Sequence, residues 1–437
     1  MSICLQVNNP PKSPLIRGTL REVLAPLIKG GWGDQNQTLC TFIYHINREI
    51  TESEDRGMSF PYCPNETNWS INWTALESEF DWLRALANCS QDPRYHAEGN
   101  VLVHTKLVCE ALVALPQWRQ LPLHSRSILF AAALLHDVAK PAATQIDEIS
   151  GAISSKGHVL QGAKMAQQIL WDMNVPFKER EAIVALVKYG SLPLWFWDKP
   201  NPERSVIKTS QIVRCDMLAL LAEADVRGRY CNDQAQLLER IEFFREYAIE
   251  NKCFDQPRQF ANSHSRFVYF HSRQGNPDYE AYDDTRMEVV IMSGLPASGK
   301  DSWIQENLPS FPVISLDKLR QTMDIDPDEN QGEVANAAKI LAKQYLRNGE
   351  SFVWNATNLS SQLRGILIRQ FANYQAKIRI VYLEAPWDTL IERNKKRTAK
   401  VPEKVLYKMR NRLEVPNITE AHEVNCMVGS AHPTYKK

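Results

Sequence analysis

Glu288-Val-Val-Ile-Met-Ser293-Gly-Leu-Pro-Ala-Ser-Gly-Lys300 is the stretch on which the fold turns. Its first half is a short apolar run of the length and composition of a buried strand. Its second half is GxxxxGK, and a helical pattern follows, so the motif stands in the strand–loop–helix context it requires. Glycines let successive backbone N–H groups curl around phosphate oxygens, and the helix N-terminus adds partial positive charge. Gly294, Ala297, Ser298, Gly299 and Lys300 form this candidate cradle, with Lys300 reaching the β- and γ-phosphates. The residue after the lysine is Asp301 rather than Ser or Thr. Magnesium would therefore fall to the Asp301 carboxylate, directly or through water, or to Ser302.

Downstream, three further apolar runs alternate with helical stretches: 312–316, 351–354 and 378–383. That alternation predicts a parallel α/β sheet over residues 288–437. Candidate site residues fall at the C-terminal ends of these runs. Asp317, in Ser315-Leu-Asp-Lys-Leu-Arg320, is either a helix N-cap or a base accepting a hydroxyl proton. Arg320 shares its helix face and suits an acceptor's phosphate. Asn355-Ala-Thr-Asn358 follows the third run. The span from Arg393 to Arg412 holds nine basic residues against one acid, Glu403. It reads either as a solvated helix face or as a lid whose arginines neutralise a phosphoryl transition state.

Taken in order, GLPASGK, SLDKLR, NATN and RNKKR resemble the polynucleotide 5′-hydroxyl kinase family. The resemblance covers roughly residues 288–425. It implies ATP or another nucleoside triphosphate with Mg²⁺ as donor and a 5′-OH of RNA or DNA as acceptor. It also implies roles: Lys300 on the donor phosphates, Asp317 as general base, Arg320 on the acceptor's phosphate, and Arg393 or Arg397 as lid arginine.

Upstream the pattern changes. Residues 91–253 carry apolar positions at helical spacing and few candidate strands, which predicts an all-α domain. Residues 254–287 read as a connector. Residues 1–90 hold a Gly-Gly-Trp-Gly turn at Gly30–Gly33 and several tryptophans (Trp69, Trp73, Trp82) with no chemical motif; the tryptophans read as core. Five of the ten histidines lie between His96 and His158. His136 and Asp137 end an apolar helix, His104 sits on an earlier one, and Asp225 closes a later one. A His/His/Asp/Asp set suits a divalent metal with open positions for water and substrate.

EGNVLVHT, ALLHDVAKP, GHVLQGA and ADVRGR resemble the HD-domain phosphohydrolase superfamily. The resemblance implies His104, His136, Asp137 and Asp225 as metal ligands, with Lys140 and His158 contacting phosphate or orienting water. The metal would be a divalent transition ion: Mn, Fe, Co, Ni or Zn. No histidine occurs between His158 and Asp225, where two-metal members carry further ligands, so one metal is expected, or a second held weakly. His96 is a marginal addition to the site, and His124 reads as a surface residue.

The remaining composition bounds the setting. Fifty-one basic and 51 acidic side chains cancel, which argues against a protein that coats nucleic acid by bulk charge. No apolar run is long enough to span a bilayer, no secretory leader is evident, and the nine cysteines form no CxxC pair. A reduced, cytoplasmic, multidomain protein is expected. The pairing of metal phosphoesterase and kinase is similar to bacterial two-domain end-healing enzymes. It implies RNA or DNA ends as substrates, 5′ phosphorylation with removal of 2′,3′-cyclic, 2′- or 3′-phosphate, and a nucleic-acid ligase acting downstream. Two other functions use the same parts: a nucleotidase fused to a nucleoside kinase, and an ATP-gated nucleotide sensor.

Overall fold

The helices form where side chains satisfy their free backbone donors. In the computed structural model, which describes residues 60–273, 275–325 and 331–429, Asn100 caps helix α1 (Val101–Ala114) by accepting from the Val103 N–H at 3.0 Å. Helix α2 (Leu123–Leu135) is buried without interruption from Ser125 to Leu135. An apolar helix of this kind sits at the centre of a bundle. Around it pack α1, α3 (His158–Asp172), α4 (Phe177–Tyr189) and α5 (Cys215–Arg227), with α6 (Gln234–Glu250) outside α5. Trp69, Trp73 and Trp82 pack half-buried on this core, so the tryptophans are structural. The Gly30–Gly33 turn lies outside the described residues. The expectation of an all-α domain needs one amendment: β1 (Gln145–Ile146) and β2 (Ile153–Ser154) form a small antiparallel hairpin between α2 and α3. Two-residue strands carry too little periodicity to read in advance.

Residues 254–287 contain a helix, α7 (Ser263–His271), capped by Asn262. Tyr269 of this helix enters the hydrophobic cluster on the outer side of the bundle. Phe267, two residues earlier, enters the cluster beneath the following sheet. The segment therefore packs against both halves of the chain.

The second half is a five-stranded, wholly parallel sheet in the order β4-β5-β3-β6-β7, built from β3 (Met287–Ser293), β4 (Val313–Ser315), β5 (Phe352–Asn355), β6 (Ala376–Glu384) and β7 (Glu423–Val428). Strand β7 is an addition to the four expected strands, and its outer residues are exposed. An edge strand with one open flank lacks the continuous apolar run by which the inner strands are recognised. Helices cover both faces. Val289 and Ile291 pack with α10 (Gln331–Asn348) and α11 (Ser361–Ala372), while Val290 and Met292 pack on Ile304 of α8 (Lys300–Asn307). Three more helices complete this half: α9 (Leu316–Thr322), α12 (Trp387–Lys396) and α13 (Glu403–Arg410).

The two halves meet through α3 and α4. Trp171 and Phe177 enter a cluster with Leu295, Tyr382 and Leu390 of the sheet half. Within it Arg180 makes a two-pronged pair with Glu384, at 2.9 and 2.7 Å, and Tyr382 donates to the same carboxylate at 2.7 Å. Arg410 stacks between Trp171 and Trp387 and bonds Asp172 at 2.6 Å. Among the described residues no helix is long and apolar enough to cross a membrane, and no disulfide forms.

Candidate active sites

The glycine loop closes directly on the end of β3. Gly294 has φ 142°, and a Cβ there would stand 2.4 Å from the Leu383 carbonyl oxygen, so only glycine fits. Gly299, at φ 103°, delivers the chain into α8. Between them Ala297 adopts φ 64°, a left-handed conformation that an alanine holds only under constraint. Lys300 arches back over the loop, its Nζ donating to the carbonyls of Gly294 at 3.0 Å and Leu295 at 2.8 Å. Burial pushes the ammonium down to about 8 against the pull of Asp301 and Asp317. The Ser298 hydroxyl is buried inside the loop with no partner among the described residues. An unpartnered hydroxyl among aligned N–H groups is what an anionic ligand would complete.

Asp301 and Ser302 part ways here. The Asp301 carboxylate accepts from Asn355 Nδ2 at 2.6 Å, facing the sheet's C-terminal edge, whereas Ser302 is exposed on the first turn of α8. The Asn355–Asn358 segment buttresses the loop: Gly294 N–H donates to the Thr357 carbonyl at 3.0 Å, and Asn358 donates to Met292 O at 2.6 Å.

Asp317 is not the cap of α9. Ser315 fills that position, accepting from the Lys318 N–H at 3.3 Å. The Asp317 side chain is 70% exposed, with Arg320 at 2.7 Å and Arg397 at 4.0 Å. Arg393 Nη1 would lie 3.9 Å from a side chain on Gly299. Both lid candidates thus stand at the loop and the candidate base. Not all of the basic run faces solvent, because Arg410 is buried in the boundary between the halves. Burial of one basic residue among nine leaves no mark in the sequence.

The second constellation draws from four separate elements. His104 (α1), His136 and Asp137 (after α2) and Asp225 (α5) converge, with His104 Nε2 at 3.2 Å from Asp225, 3.7 Å from Asp137 and 3.3 Å from His136 Nε2. His136 Nε2 is 3.2 Å from Asp137. His158, the first residue of α3, brings Nε2 to 3.6 Å from the other Asp137 oxygen. Lys140 donates to Asp137 at 2.7 Å and to Gln91 at 2.6 Å.

The ring orientations test whether a cation suits this site. His136 Nδ1 lies 2.7 Å from the Ala133 carbonyl, so that nitrogen carries the proton. His158 Nδ1 is tied in the same way to Ser155 O at 2.6 Å. His104 Nδ1 lies 2.9 Å from Glu98, off the line of a straight hydrogen bond. The His136 Nε2 lone pair therefore faces His104 Nε2 at 3.3 Å. Two acceptors at that separation repel unless a proton or a cation lies between them. With two carboxylates converging on the same space, the donor set fits a divalent cation, and a backbone carbonyl such as that of Ala133 is the usual outer partner of a ligating imidazole. Burial pushes the Asp137 and Asp225 carboxyls up. Lys140 and His136 in one case, and Arg229 and His104 in the other, outweigh it and hold both well below the usual carboxylate range.

Glu98, Arg229 and Gln91 were not singled out in the sequence. Glu98 is buried, lies 2.8 Å from His96 Nδ1 and accepts from the Tyr230 N–H at 2.9 Å. Arg229 Nε donates to Asp225 at 3.0 Å. The i,i+4 spacing of Asp225 and Arg229 was a usable signal. Glu98 joins His96 and His104 in a second group of possible metal-binding atoms, which brings His96 to the edge of the site. His124 lies 3.9 Å from Glu179, away from this cluster.

Comparison with known proteins bears on the sheet half. A family model described as an AAA domain matches residues 289–416. The L-seryl-tRNA(Sec) kinase of Methanococcus maripaludis is 22% identical over 144 residues, 31% of this chain and 56% of that protein. The chain thus spans just over half the length of that relative. A solved structure from Chloroflexus aurantiacus described as a candidate kinase is 19% identical, covers 33% of this chain and 86% of its own, and has a TM-score of 0.28. The C-terminal region matched, residues 289–416, is a kinase-like P-loop domain, and the N-terminal part of the described chain is helical.

Proposed function

We propose that the chain heals nucleic-acid ends with two sites: an NTP-dependent 5′-hydroxyl kinase in the sheet half and an HD-type metal phosphoesterase in the helical half. The observation that carries the kinase reading is Asp317, an exposed carboxylate at the sheet's C-terminal edge with Arg320 and Arg397 beside it. Lys300 and the loop N–H groups hold the donor's phosphates. Asp317 accepts the proton of the attacking 5′-hydroxyl as its oxygen bonds to the γ-phosphorus, and the bond to the β–γ bridging oxygen breaks to release the diphosphate. Arg393 and Arg397 offset the charge spread over the transferring oxygens. Mg²⁺ would shield the donor phosphates, with Asp301, beside the loop lysine, as its side-chain partner.

In the helical half, a divalent transition metal at His104, His136, Asp137 and Asp225 would supply an acidified water for phosphoester cleavage. Lys140 and His158, both aimed at Asp137, meet the phosphate and orient that water. Arg229 and Glu98 fix the directions of Asp225 and His104. A kinase named for a seryl-tRNA among the relatives is in keeping with an acceptor hydroxyl carried on RNA. RNA or DNA ends are the proposed substrates, and a ligase that joins a 5′-phosphate to a 3′-OH would consume the product.

The test is a short RNA with a 5′-OH and a 2′,3′-cyclic phosphate, incubated with ATP, Mg²⁺ and Mn²⁺ and read at both ends by mass. Phosphate gained at 5′ and lost at 3′ is expected. Unchanged RNA alongside altered free nucleosides or nucleotides would replace this reading with a nucleotidase fused to a nucleoside kinase.

A further inference from the structure

A cavity of about 450 Å³ opens beside the His/Asp cluster, within the roughly 300–1,000 Å³ of small-molecule sites. Cationic and aromatic groups line it beside two carboxylates, Asp92, which is paired with Arg94, and Asp233. Lys140, His158 and Arg229 bring cations and imidazole from the cluster, while Trp195 and Tyr95 bring aromatic surface. Gln91 adds an unmet donor: it is 8% exposed, its Oε1 is taken by Lys140, and its Nε2 has no partner among the described residues.

Trp195 is held as a wall. The Arg240 guanidinium lies over its ring at 4.7 Å and is itself tied to the Leu194 carbonyl at 3.3 Å. The indole is nevertheless 42% exposed and borders the cavity. A flat, half-exposed aromatic surface braced by a guanidinium is a platform for a nucleobase. Cations and an amide donor in the same cavity complement a phosphate.

We propose that Trp195 stacks on the base of a terminal nucleoside phosphate whose phosphate is received by Lys140 and Gln91. The proposal rests on the phosphoesterase reading of the adjacent cluster and adds to it a base-recognition surface at Trp195. The base requirement separates it from a general phosphomonoesterase, which would need no aromatic wall.

The experiment uses the full chain carrying Lys300→Ala, so that the glycine loop contributes little, with Mn²⁺ present. The probe is an uncleavable methylenephosphonate analogue of adenosine 3′-phosphate, titrated calorimetrically beside the same analogue lacking the base. Deleting the base and introducing Trp195→Ala should each weaken binding about tenfold or more, since stacking on one aromatic contributes on this order. Together they should weaken it no further than either alone. Trp195→Phe should recover most of the affinity, and an unchanged melting temperature for Trp195→Ala excludes misfolding. Equal binding of the two analogues by the parent, equal weakening of both by Trp195→Ala, or no binding at all would overturn the proposal. A pentanucleotide ending in the same phosphonate distinguishes the sources: tighter binding than the mononucleoside assigns an RNA end, equal binding a free nucleotide. Cleavage is scored separately on the natural 3′-phosphate. Trp195-dependent binding without cleavage would remove the phosphoesterase reading and leave the nucleotide site. Cleavage with Trp195-independent binding would do the reverse.

Discussion

The two sites are built by opposite means. The phosphate loop is local: seven consecutive residues, 294–300, form a cradle whose shape is dictated by backbone angles at Gly294, Ala297 and Gly299. The His/Asp cluster is assembled from residues as far apart as His104 and Asp225, on helices that meet only because α1, α2 and α5 pack together. The first therefore depends on strand and turn geometry, the second on the integrity of a helical core. A substitution can remove one chemistry while leaving the other if the two are independent.

The sharpest way to break that comparison is a pair of point variants. Asp317→Ala should lower 5′ phosphorylation by about 10²–10⁴-fold, the range for a positioned proton acceptor. It should leave 3′-end cleavage at the parent rate. Asp137→Asn should abolish cleavage and spare phosphorylation. Steady-state rates on the doubly unhealed RNA measure both, and loss of both activities in either variant would show that the sites work as one.

A large stability effect is expected where the halves meet. Arg180 and Glu384 are both buried, so removing one strands the other, at about 3–5 kcal/mol. Denaturant titration of Arg180→Ala should show this. If the midpoint stays within error of the parent, the boundary is not a shared core and the halves are thermodynamically separate.

Metal dependence sharpens the contrast further. Mn²⁺ at a hundred times its dissociation constant should stabilise the folded chain by about 2.7 kcal/mol. His104→Ala should erase the shift in a thermal melt, whereas Lys300→Ala should leave it intact. A shift that survives His104→Ala would place the ion elsewhere.

The smallest effect concerns acid. His264 and His422 stack beside the join of α7 and the sheet, with His264 Nδ1 3.2 Å from His422 Nε2. Burial, reinforced by His264 and Lys377, pushes His422 from 6.5 down to about 3. Between those values the unfolded chain binds a proton that the folded chain refuses. Stability is therefore full above about pH 6.5 and falls as pH drops toward 3, with a limiting slope of about 1.4 kcal/mol per unit from this group. His422→Gln should flatten the slope in urea melts at pH 5 and pH 7. An unchanged slope would assign the acid sensitivity to other groups.

Much of this was legible in advance, for identifiable reasons. GLPASGK announces its structure because only glycine tolerates the angles and close approaches the loop needs, and four of the five strands carry buried apolar runs. His104, His136, Asp137 and Asp225 could be picked out by type and context and do converge, though nothing in their order specified the facing Nε2 atoms. Glu98 and Gln91 left no signal because an outer partner is defined by what it touches, whereas Arg229 is marked by its i,i+4 spacing from Asp225. Ser315 rather than Asp317 proved to be the cap, a choice decided by where the strand ends. Arg410 looked like one more charge in a basic run and is buried between Trp171 and Trp387.

What the sequence determined by itself is what backbone stereochemistry and hydrophobic period encode locally: a phosphate loop between strand and helix, a parallel sheet, and a helical region before it. What only the tertiary structure decided is which charges are paired, buried or left facing solvent. That outcome depends on distances between residues far apart in the chain, 238 positions in the case of Asp172 and Arg410, and those distances are set by packing.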